Sequence, residues 1–281
     1  MTWDRDVEGR PAAAAPGGAS SRRLAGWPVV GVLLLVAGGI VVFLASVLGG
    51  VTGFGFALVC TPLLLLTGFP LADVVVVNLT ISGIARLFAV AKLRSFVNRR
   101  RALWLVLGCV PGLLLGLLLR DAVDDAVLKV SAGTVAVAVA AYLLFRPPAP
   151  LAHDAGPPPR LQSGAAGLLG GFLGMTTSLN GPPPVILLSR QRAEPREFVA
   201  DMAVYLICCN GIAIALIALS GGLELDRLGP LLALWLPGAL LGNAVGLAYG
   251  ARLPVELFRR LTLMLVMLTG LATVVTTLAG R

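Results

Sequence analysis

An apolar segment in the second half of the chain is interrupted by Gly174-Met-Thr-Thr-Ser-Leu-Asn-Gly-Pro-Pro-Pro184, which we call break 2. A similar interruption in the first half, which we call break 1, reads Gly49-Gly-Val-Thr-Gly-Phe-Gly55. Both are rich in residues that disfavour a continuous helix. Unwound backbone at bilayer depth is tolerated only where it is buried in protein or lines a cavity. The two breaks therefore predict two interrupted helices and mark where a polar site belongs.

Composition places the chain in a membrane. Apolar residues make up 57% of the 281 residues and charged residues 13%, against roughly 25% charged residues in a soluble domain. A helix needs about 20 apolar residues to cross the hydrocarbon core. The segments without any charge are 24–72, 102–119, 130–145, 161–189, 202–223, 228–251 and 261–280. They predict an all-α, polytopic membrane protein with seven or eight transmembrane crossings.

The chain also carries the marks of an internal duplication. Val110-Pro-Gly-Leu-Leu-Leu-Gly116 matches Leu236-Pro-Gly-Ala-Leu-Leu-Gly242 at an offset of 126 residues, close to the 125 that aligns Gly55 with Asn180. Two unrelated features at nearly one offset indicate two repeats. In both matching segments glycines recur every four residues, at Gly108, Gly112 and Gly116 and at Gly238, Gly242, Gly246 and Gly250. That spacing predicts close helix packing in lipid.

The predicted organisation has four parts. These are a disordered N-terminal segment (1–26), a first transmembrane repeat (27–145), a Pro-rich cytoplasmic linker (146–163) and a second transmembrane repeat (164–281). The N-terminal segment is rich in Ala, Pro and Gly and has no apolar period, which is typical of disorder.

Loop charge predicts the orientation, because short loops rich in Lys and Arg are cytoplasmic. The basic loops lie at 92–101, 146–163, 190–196 and 252–260, and the acidic loops at 120–125 and 221–227. On this path the helix before Lys92 runs inward and its counterpart, which begins near Glu197, runs outward. The repeats are therefore predicted to be inverted, with break 1 in a re-entrant segment from outside and break 2 in one from inside.

The net charge of +8 is attributed to these loops rather than to a nucleic-acid partner, because no basic run with interleaved aromatics lies on a soluble domain. The predicted partners are a small anionic solute and the lipid bilayer; a homodimer is left open. The single histidine, His153, lies in the Pro-rich linker, so no His-based metal site is predicted. We expect no cofactor.

The breaks suit an anion. Glycine lets backbone N–H groups converge, and Thr and Ser add hydroxyl donors. A helix that starts after a break presents its positive dipole end and free N–H groups, and proline is tolerated in its first turn. The predicted substrate-binding residues are Thr52, Gly53, Gly55, Asn78, Arg86, Thr176, Thr177, Ser178, Asn180, Gly181 and Asn210.

Each polar residue in a span also has a structural interpretation. Arg86 either neutralises an anion or extends its guanidinium to the inner surface. Asn78 and Asn210 either line the pathway or hydrogen-bond neighbouring helices together. Asp73 and Asp201 lie near the starts of their helices, where a carboxylate favours the helix dipole, although either could titrate in a proton-coupled transporter.

At these residues the chain resembles the sulfite exporter TauE/SafE family of membrane permeases. The resemblance rests on break 1 followed by Thr61-Pro62, and on Thr176-Thr-Ser-Leu-Asn-Gly-Pro-Pro183 in break 2. It spans roughly 29–275 and implies transport of small anions, with sulfite and organosulfonates as the usual substrates. Break 2 has Thr177, Ser178 and Asn180 where the plain Gly-rich motif has glycines, which leaves the choice of oxyanion open.

The sequence thus predicts a multi-pass secondary transporter of the cytoplasmic membrane that moves sulfite or an organosulfonate. No phosphate-binding loop of the G-x-x-x-x-G-K-[ST] type is present. The alternatives are an anion channel, or a membrane-embedded enzyme or biogenesis factor. An enzyme would need convergent acid–base groups, and the spans supply neither histidine nor paired carboxylates. No residue is therefore predicted to be catalytic.

Overall fold

The computed structural model describes residues 28–53, 55–120, 122–145, 160–191, 194–249 and 255–279, and this part of the chain is helical without strands. The predicted disordered segment 1–26 and most of the Pro-rich linker lie outside the described residues. The helices are α1 (Pro28–Thr52), α2 (Gly55–Leu66), α3 (Leu71–Leu93), α4 (Arg99–Arg120), α5 (Asp125–Phe145), α6 (Arg160–Thr177), α7 (Pro182–Arg190), α8 (Pro195–Leu219), α9 (Leu225–Tyr249) and α10 (Val255–Ala279).

Both breaks interrupt helix, as the sequence predicts. In break 1 the helix stops at Gly53, whose φ is +83°, a left-handed conformation that glycine adopts without strain. In break 2 it stops at Ser178, whose φ is +60° although it has a side chain. A non-glycine residue in this region costs about 1–2 kcal/mol. Break 2 is therefore held in place by its surroundings.

After each break the chain turns back on itself. Pro184 of α7 lies beside Gly170 of α6, and Phe56 of α2 lies beside Gly49 of α1. Each half thus contains a helical hairpin, in which a long helix is followed by a short one that runs back along it.

The packing partners correspond when the two halves are exchanged. α4 packs in parallel on α6, and α1 packs in parallel on α9, while α3 packs on α8 and α5 on α10. On α4 and α6 the facing pairs are Gly108 with Gly164 and Gly116 with Phe172. On α1 and α9 they are Gly39 with Trp235 and Gly50 with Gly246. The duplication itself stays a prediction.

Glycines create the closest of these contacts. A Cβ added at Gly112 would collide with the Leu168 carbonyl oxygen, and one at Gly242 would lie 2.5 Å from the Phe43 carbonyl oxygen. Gly238 does not belong to this set, although its spacing predicts that it does, because no atom lies within 4 Å of its added Cβ. Gly250 lies outside the described residues.

Six helices in the described part of the chain are long and apolar enough to cross a membrane. They are Leu33–Thr52, Leu71–Phe96, Arg99–Arg120, Asp125–Phe145, Arg196–Leu219 and Leu228–Ala248. Two shorter apolar helices are Gly55–Leu66 and Leu263–Ala279. The protein is thus a multi-pass helical membrane protein, and the count of seven or eight crossings stays a prediction.

The basic segments meet at one end of the helical bundle, which we call the basic end. There the Arg160 guanidinium lies 5.6 Å from the Trp104 ring centroid, and that of Arg196 lies 5.4 Å from the Phe96 ring centroid. We call the opposite end, where α5 begins at Asp125, the acidic end. Long-range contacts thus place several of the predicted cytoplasmic loops on one side.

A buried ion pair joins the two halves at the basic end. Arg101, at the start of α4, pairs with Asp201 of α8 and also with Glu197, at 3.3 Å. The Asn98 backbone N–H donates to the Asp201 carboxylate at 2.8 Å. Asp201 is fully buried and lies almost two turns inside α8, so the prediction that it serves the helix dipole is wrong. Asp73 does lie in the first turn of α3.

Candidate functional site

Break 2 meets the first half of the chain at three polar side chains. The Ser178 hydroxyl lies 2.8 Å from the Thr61 hydroxyl of α2. The Asn78 side-chain amide of α3 donates to both, at 2.9 Å to Thr61 and 3.1 Å to Ser178. All three residues are buried. We call Thr61, Asn78 and Ser178 the polar cluster.

The donors and acceptors of the polar cluster do not balance. Two hydroxyl hydrogens serve one bond between Thr61 and Ser178, which leaves one hydroxyl hydrogen over. The Asn78 side-chain carbonyl is buried and has no partner among the described residues. Buried polar groups are nearly always hydrogen-bonded, so the polar cluster has capacity for a further hydrogen-bond partner.

On its other side, break 2 meets α8. The Asn180 side-chain amide donates to the Asn210 side-chain carbonyl and lies 3.7 Å from the Cys209 sulfur. The Tyr205 hydroxyl donates to the Asn180 backbone carbonyl at 3.4 Å. The buried Asn210 amide nitrogen has no partner among the described residues. This side of break 2 therefore adds another unused donor.

The backbone of break 2 contributes further donors. No hydrogen bond in the described part of the chain uses the N–H groups of Leu179, Asn180 or Gly181, whereas those of Ser178 and Val185 are bonded. The three prolines occupy the start of α7, as predicted. They have no N–H, so the free amides lie in the linker before α7 rather than in its first turn, which corrects the prediction. Consecutive free amides of this kind bind anions.

Break 1 is more completely bonded internally. The Thr52 hydroxyl donates to the Leu48 carbonyl at 2.8 Å and accepts from the Gly55 N–H at 3.0 Å. The Gly53 N–H donates to the Gly49 carbonyl at 2.9 Å. The break nevertheless touches both halves, because Gly53 lies against Val199 of α8.

Arg86 brings a charged group into contact with break 1. Its guanidinium donates to the Gly49 carbonyl at 3.3 Å, and the residue is 4% exposed. Its Nε has no partner, and no carboxylate pairs with it among the described residues. The guanidinium therefore does not extend to the surface, which was the structural interpretation of this residue.

A polar file on α3 connects the two breaks. Asn78, Ser82 and Arg86 are spaced four residues apart, so they follow one face of the helix, and all three are buried. Asn78 meets break 2 and Arg86 meets break 1, about 12 Å apart along the axis. The breaks are buried in protein but do not touch each other through any described contact.

A cavity of about 90 Å³ lies beyond break 2 at the acidic end. Its lining includes Thr176 of α6, Arg120 of α4, Asp125 of α5 and Val75 of α3. Val75 lies one turn before Asn78 on α3. The cavity thus reaches from the charged helix ends to the edge of break 2.

The structure separates the predicted site residues into two groups. Asn78, Ser178, Asn180 and Asn210 meet around break 2, beside the unpaired Gly181 N–H, and Arg86 meets break 1. By contrast, Thr176 and Thr177 donate their hydroxyls to carbonyls of their own helix, those of Phe172 and Leu173, as Thr52 does with Leu48. Gly53 and Gly55 shape break 1 without donating to break 2.

Thr61 was not predicted as a site residue, although it bonds to both Ser178 and Asn78. The sequence signal that points to it is Thr61-Pro62 itself, which is part of the motif on which the family resemblance rests. Its partner Ser178 is 117 residues away in sequence, so only the fold brings the two together.

The family model described as sulfite exporter TauE/SafE matches residues 38–273. The chain belongs to this family. The match covers both breaks, the polar cluster and Arg86. Comparison with curated proteins and with solved structures gave no match. Members of the TauE/SafE family are membrane transporters of sulfur-containing anions rather than enzymes, and the chain is accordingly a membrane transporter of this class.

Proposed function

We propose that the chain is a secondary transporter of the cytoplasmic membrane that carries sulfite or an organosulfonate through a site between the two breaks. The polar cluster, Asn180, Asn210 and the free amides of break 2 bind the anion oxygens. Arg86 supplies the positive charge farther along the polar file. The observation that carries the proposal is the excess of buried donors around break 2 that no described group uses.

The arrangement of these groups supports recognition of an oxyanion. Hydroxyl, amide and backbone N–H donors converge on an oxyanion without a metal, and a buried guanidinium adds charge. Buried unpaired donors are costly in an empty protein and become satisfied when an oxyanion binds. A membrane-embedded enzyme would need convergent acid–base groups, and the polar cluster with Asn180 and Asn210 consists of hydroxyl and amide side chains.

The same geometry supports a proposal for the transport path. We propose inverted repeats, with the α1–α2 hairpin re-entering from the acidic, outer end and the α6–α7 hairpin from the basic, cytoplasmic end. The exchangeable helix partners support this symmetry. The anion enters from the cavity beside Thr176, passes the polar cluster and follows Asn78, Ser82 and Arg86 toward the basic end. Rocking of one half against the other then provides alternating access.

Flux in reconstituted vesicles tests the proposal. Sulfite, methanesulfonate, sulfate and a carboxylate are compared as solutes, with and without a proton gradient. We expect saturable, protein-dependent uptake of sulfite and methanesulfonate. Flux that rises without saturation would instead identify an anion channel, and flux equal to that of protein-free vesicles for every solute would contradict the proposal.

Asn180→Ala provides the corresponding variant. We expect flux to fall roughly tenfold, because the change removes the partner of the Asn210 carbonyl and one side of the anion site. The folded yield, measured by size-exclusion chromatography in detergent, should stay close to that of the wild type. Unchanged flux would remove Asn180 from the site.

A further inference from the structure

Four charged side chains are buried in the described part of the chain: Arg86, Arg101, Asp73 and Asp201. Arg101 and Arg86 are both 4% exposed. Arg101 pairs with Asp201 and Glu197, whereas Arg86 has a carbonyl partner and no carboxylate among the described residues. Along the polar file, the other polar side chains are neutral Asn, Ser and Thr residues. The site therefore carries a net charge of one positive unit where its residues are described.

The titratable groups around α3 do not alter this count. The carboxylates on the helices packed against it are Glu197 and Asp201 of α8, which belong to the Arg101 pair, and Asp226 of α9, which is exposed. Asp73 and Lys92 lie at opposite ends of α3 itself. Asp73 is also buried, but it lies thirteen residues before Arg86, roughly 20 Å along the helix axis. Arg160 of α6 lies at the basic end over Trp104. The other titratable groups are the Tyr205 hydroxyl and the thiols of Cys60, Cys208 and Cys209, residue types whose unperturbed pKa values lie above neutral pH.

We infer that the site selects monoanions, above all a protonated oxyanion such as hydrogen sulfite, and discriminates against dianions; this rests on the proposed function. One negative charge cancels the charge of Arg86. A second would be buried without a partner, and the Born cost of burying an ion grows with the square of its charge, roughly fourfold for a dianion.

The hydrogen-bond inventory favours the protonated form independently of charge. The unpaired groups around break 2 include donors, such as the Asn210 amide, and one acceptor, the Asn78 side-chain carbonyl. A fully deprotonated oxyanion accepts hydrogen bonds but cannot donate one to that carbonyl. An oxyanion that keeps one O–H group satisfies both kinds of site.

The test compares two solutes across neutral pH in reconstituted vesicles, with protein-free vesicles subtracted. As pH rises, hydrogen sulfite loses its proton and becomes the sulfite dianion, so uptake at constant total sulfite should fall with the monoanion fraction. Methanesulfonate stays a monoanion throughout, and its uptake should stay constant. Sulfate, a dianion at these pH values, should be taken up poorly.

The possible results distinguish failure of the monoanion inference from failure of the proposed function. Sulfite uptake that is constant or rises with pH overturns the monoanion inference, as does a parallel fall for methanesulfonate, which would mean that the protein titrates. Either result leaves the proposed function standing. Absence of protein-dependent uptake for all solutes overturns the proposed function and the inference with it.

Two variants of Arg86 complete the experiment. Arg86→Gln should lower uptake of both monoanions roughly tenfold, because the neutralising charge is lost. Arg86→Lys keeps the positive charge. We expect this variant to take up sulfite more slowly than the wild type, with the same decrease in uptake as pH rises. Wild-type uptake by folded Arg86→Gln protein overturns the role of Arg86. If Arg86→Gln fails to fold, Arg86→Lys decides, because loss of the pH pattern there contradicts the inference.

Discussion

Gly242→Leu is expected to eliminate most of the folded protein. A Cβ at this position would already lie 2.5 Å from the Phe43 carbonyl oxygen of α1 and 3.2 Å from the Ser46 Cβ. The remaining leucine carbons would force α1 and α9 apart, at a cost of about 3 kcal/mol or more. The measurement is the monodisperse fraction after extraction in detergent, together with the midpoint of thermal unfolding.

Gly238→Leu is the matched control, one turn earlier on the same helix. No atom lies within 4 Å of a Cβ added at Gly238, so the leucine projects into open space and the folded yield should match the wild type. Equal losses for both variants would mean that leucine harms α9 for a reason other than packing. A normal yield for Gly242→Leu would contradict the parallel packing of α1 on α9.

Thr61→Val should lower anion flux roughly tenfold with little loss of folded protein. Valine has nearly the shape of threonine, so packing inside α2 is kept. The hydroxyl that bonds to Ser178 and accepts from Asn78 is lost, and each partner is left with an unmet bond beside break 2. The measurement is initial uptake of sulfite and methanesulfonate, normalised to the amount of reconstituted protein.

Thr80→Val is the matched control for this variant. Thr80 lies on α3 two residues after Asn78, and its hydroxyl donates to the Val76 carbonyl of its own helix at 2.8 Å. Removing it should leave uptake close to the wild-type rate. If Thr61→Val transported at that rate too, the polar cluster would be helix packing alone.

The broad fold follows from local features of the sequence. Gly53 ends α1 because the sequence supplies glycine where the backbone turns left-handed, and Pro182 begins α7 because proline suits the first turn. The non-helical part of break 2 is shorter than its glycine content predicts, because α6 extends to Thr177. Gly174 remains helical, and its missing side chain instead leaves room for Asn180, whose Cβ would lie 2.8 Å from an added Cβ.

The site was harder to predict because its bonds join distant parts of the chain. Ser178 hydrogen-bonds to Thr61, which is 117 residues away in sequence, and Arg101 pairs with Asp201, which is 100 residues away. Nor does residue type reveal where a hydroxyl points. Thr177 bonds to its own helix while the adjacent Ser178 turns toward α2, because only Ser178 leaves the helical conformation.

The regular spacing of glycines was also an incomplete guide. Gly238 and Gly242 belong to one series of glycines spaced four residues apart, yet of these two only Gly242 faces a helix backbone. The position of the partner helix decides which glycine is needed, and the sequence of α9 does not contain that information.

Locating a bound anion tests the central claim most directly. Diffraction from crystals grown with 2-bromoethanesulfonate, a sulfonate with an anomalous scatterer, would reveal the position of the bromine and of the attached sulfonate. We predict that the sulfonate lies within hydrogen-bonding distance of Ser178, Asn180 and Asn210. Its negatively charged oxygens should face the polar file that leads to Arg86. A sulfonate bound elsewhere, with break 2 empty, would contradict the account.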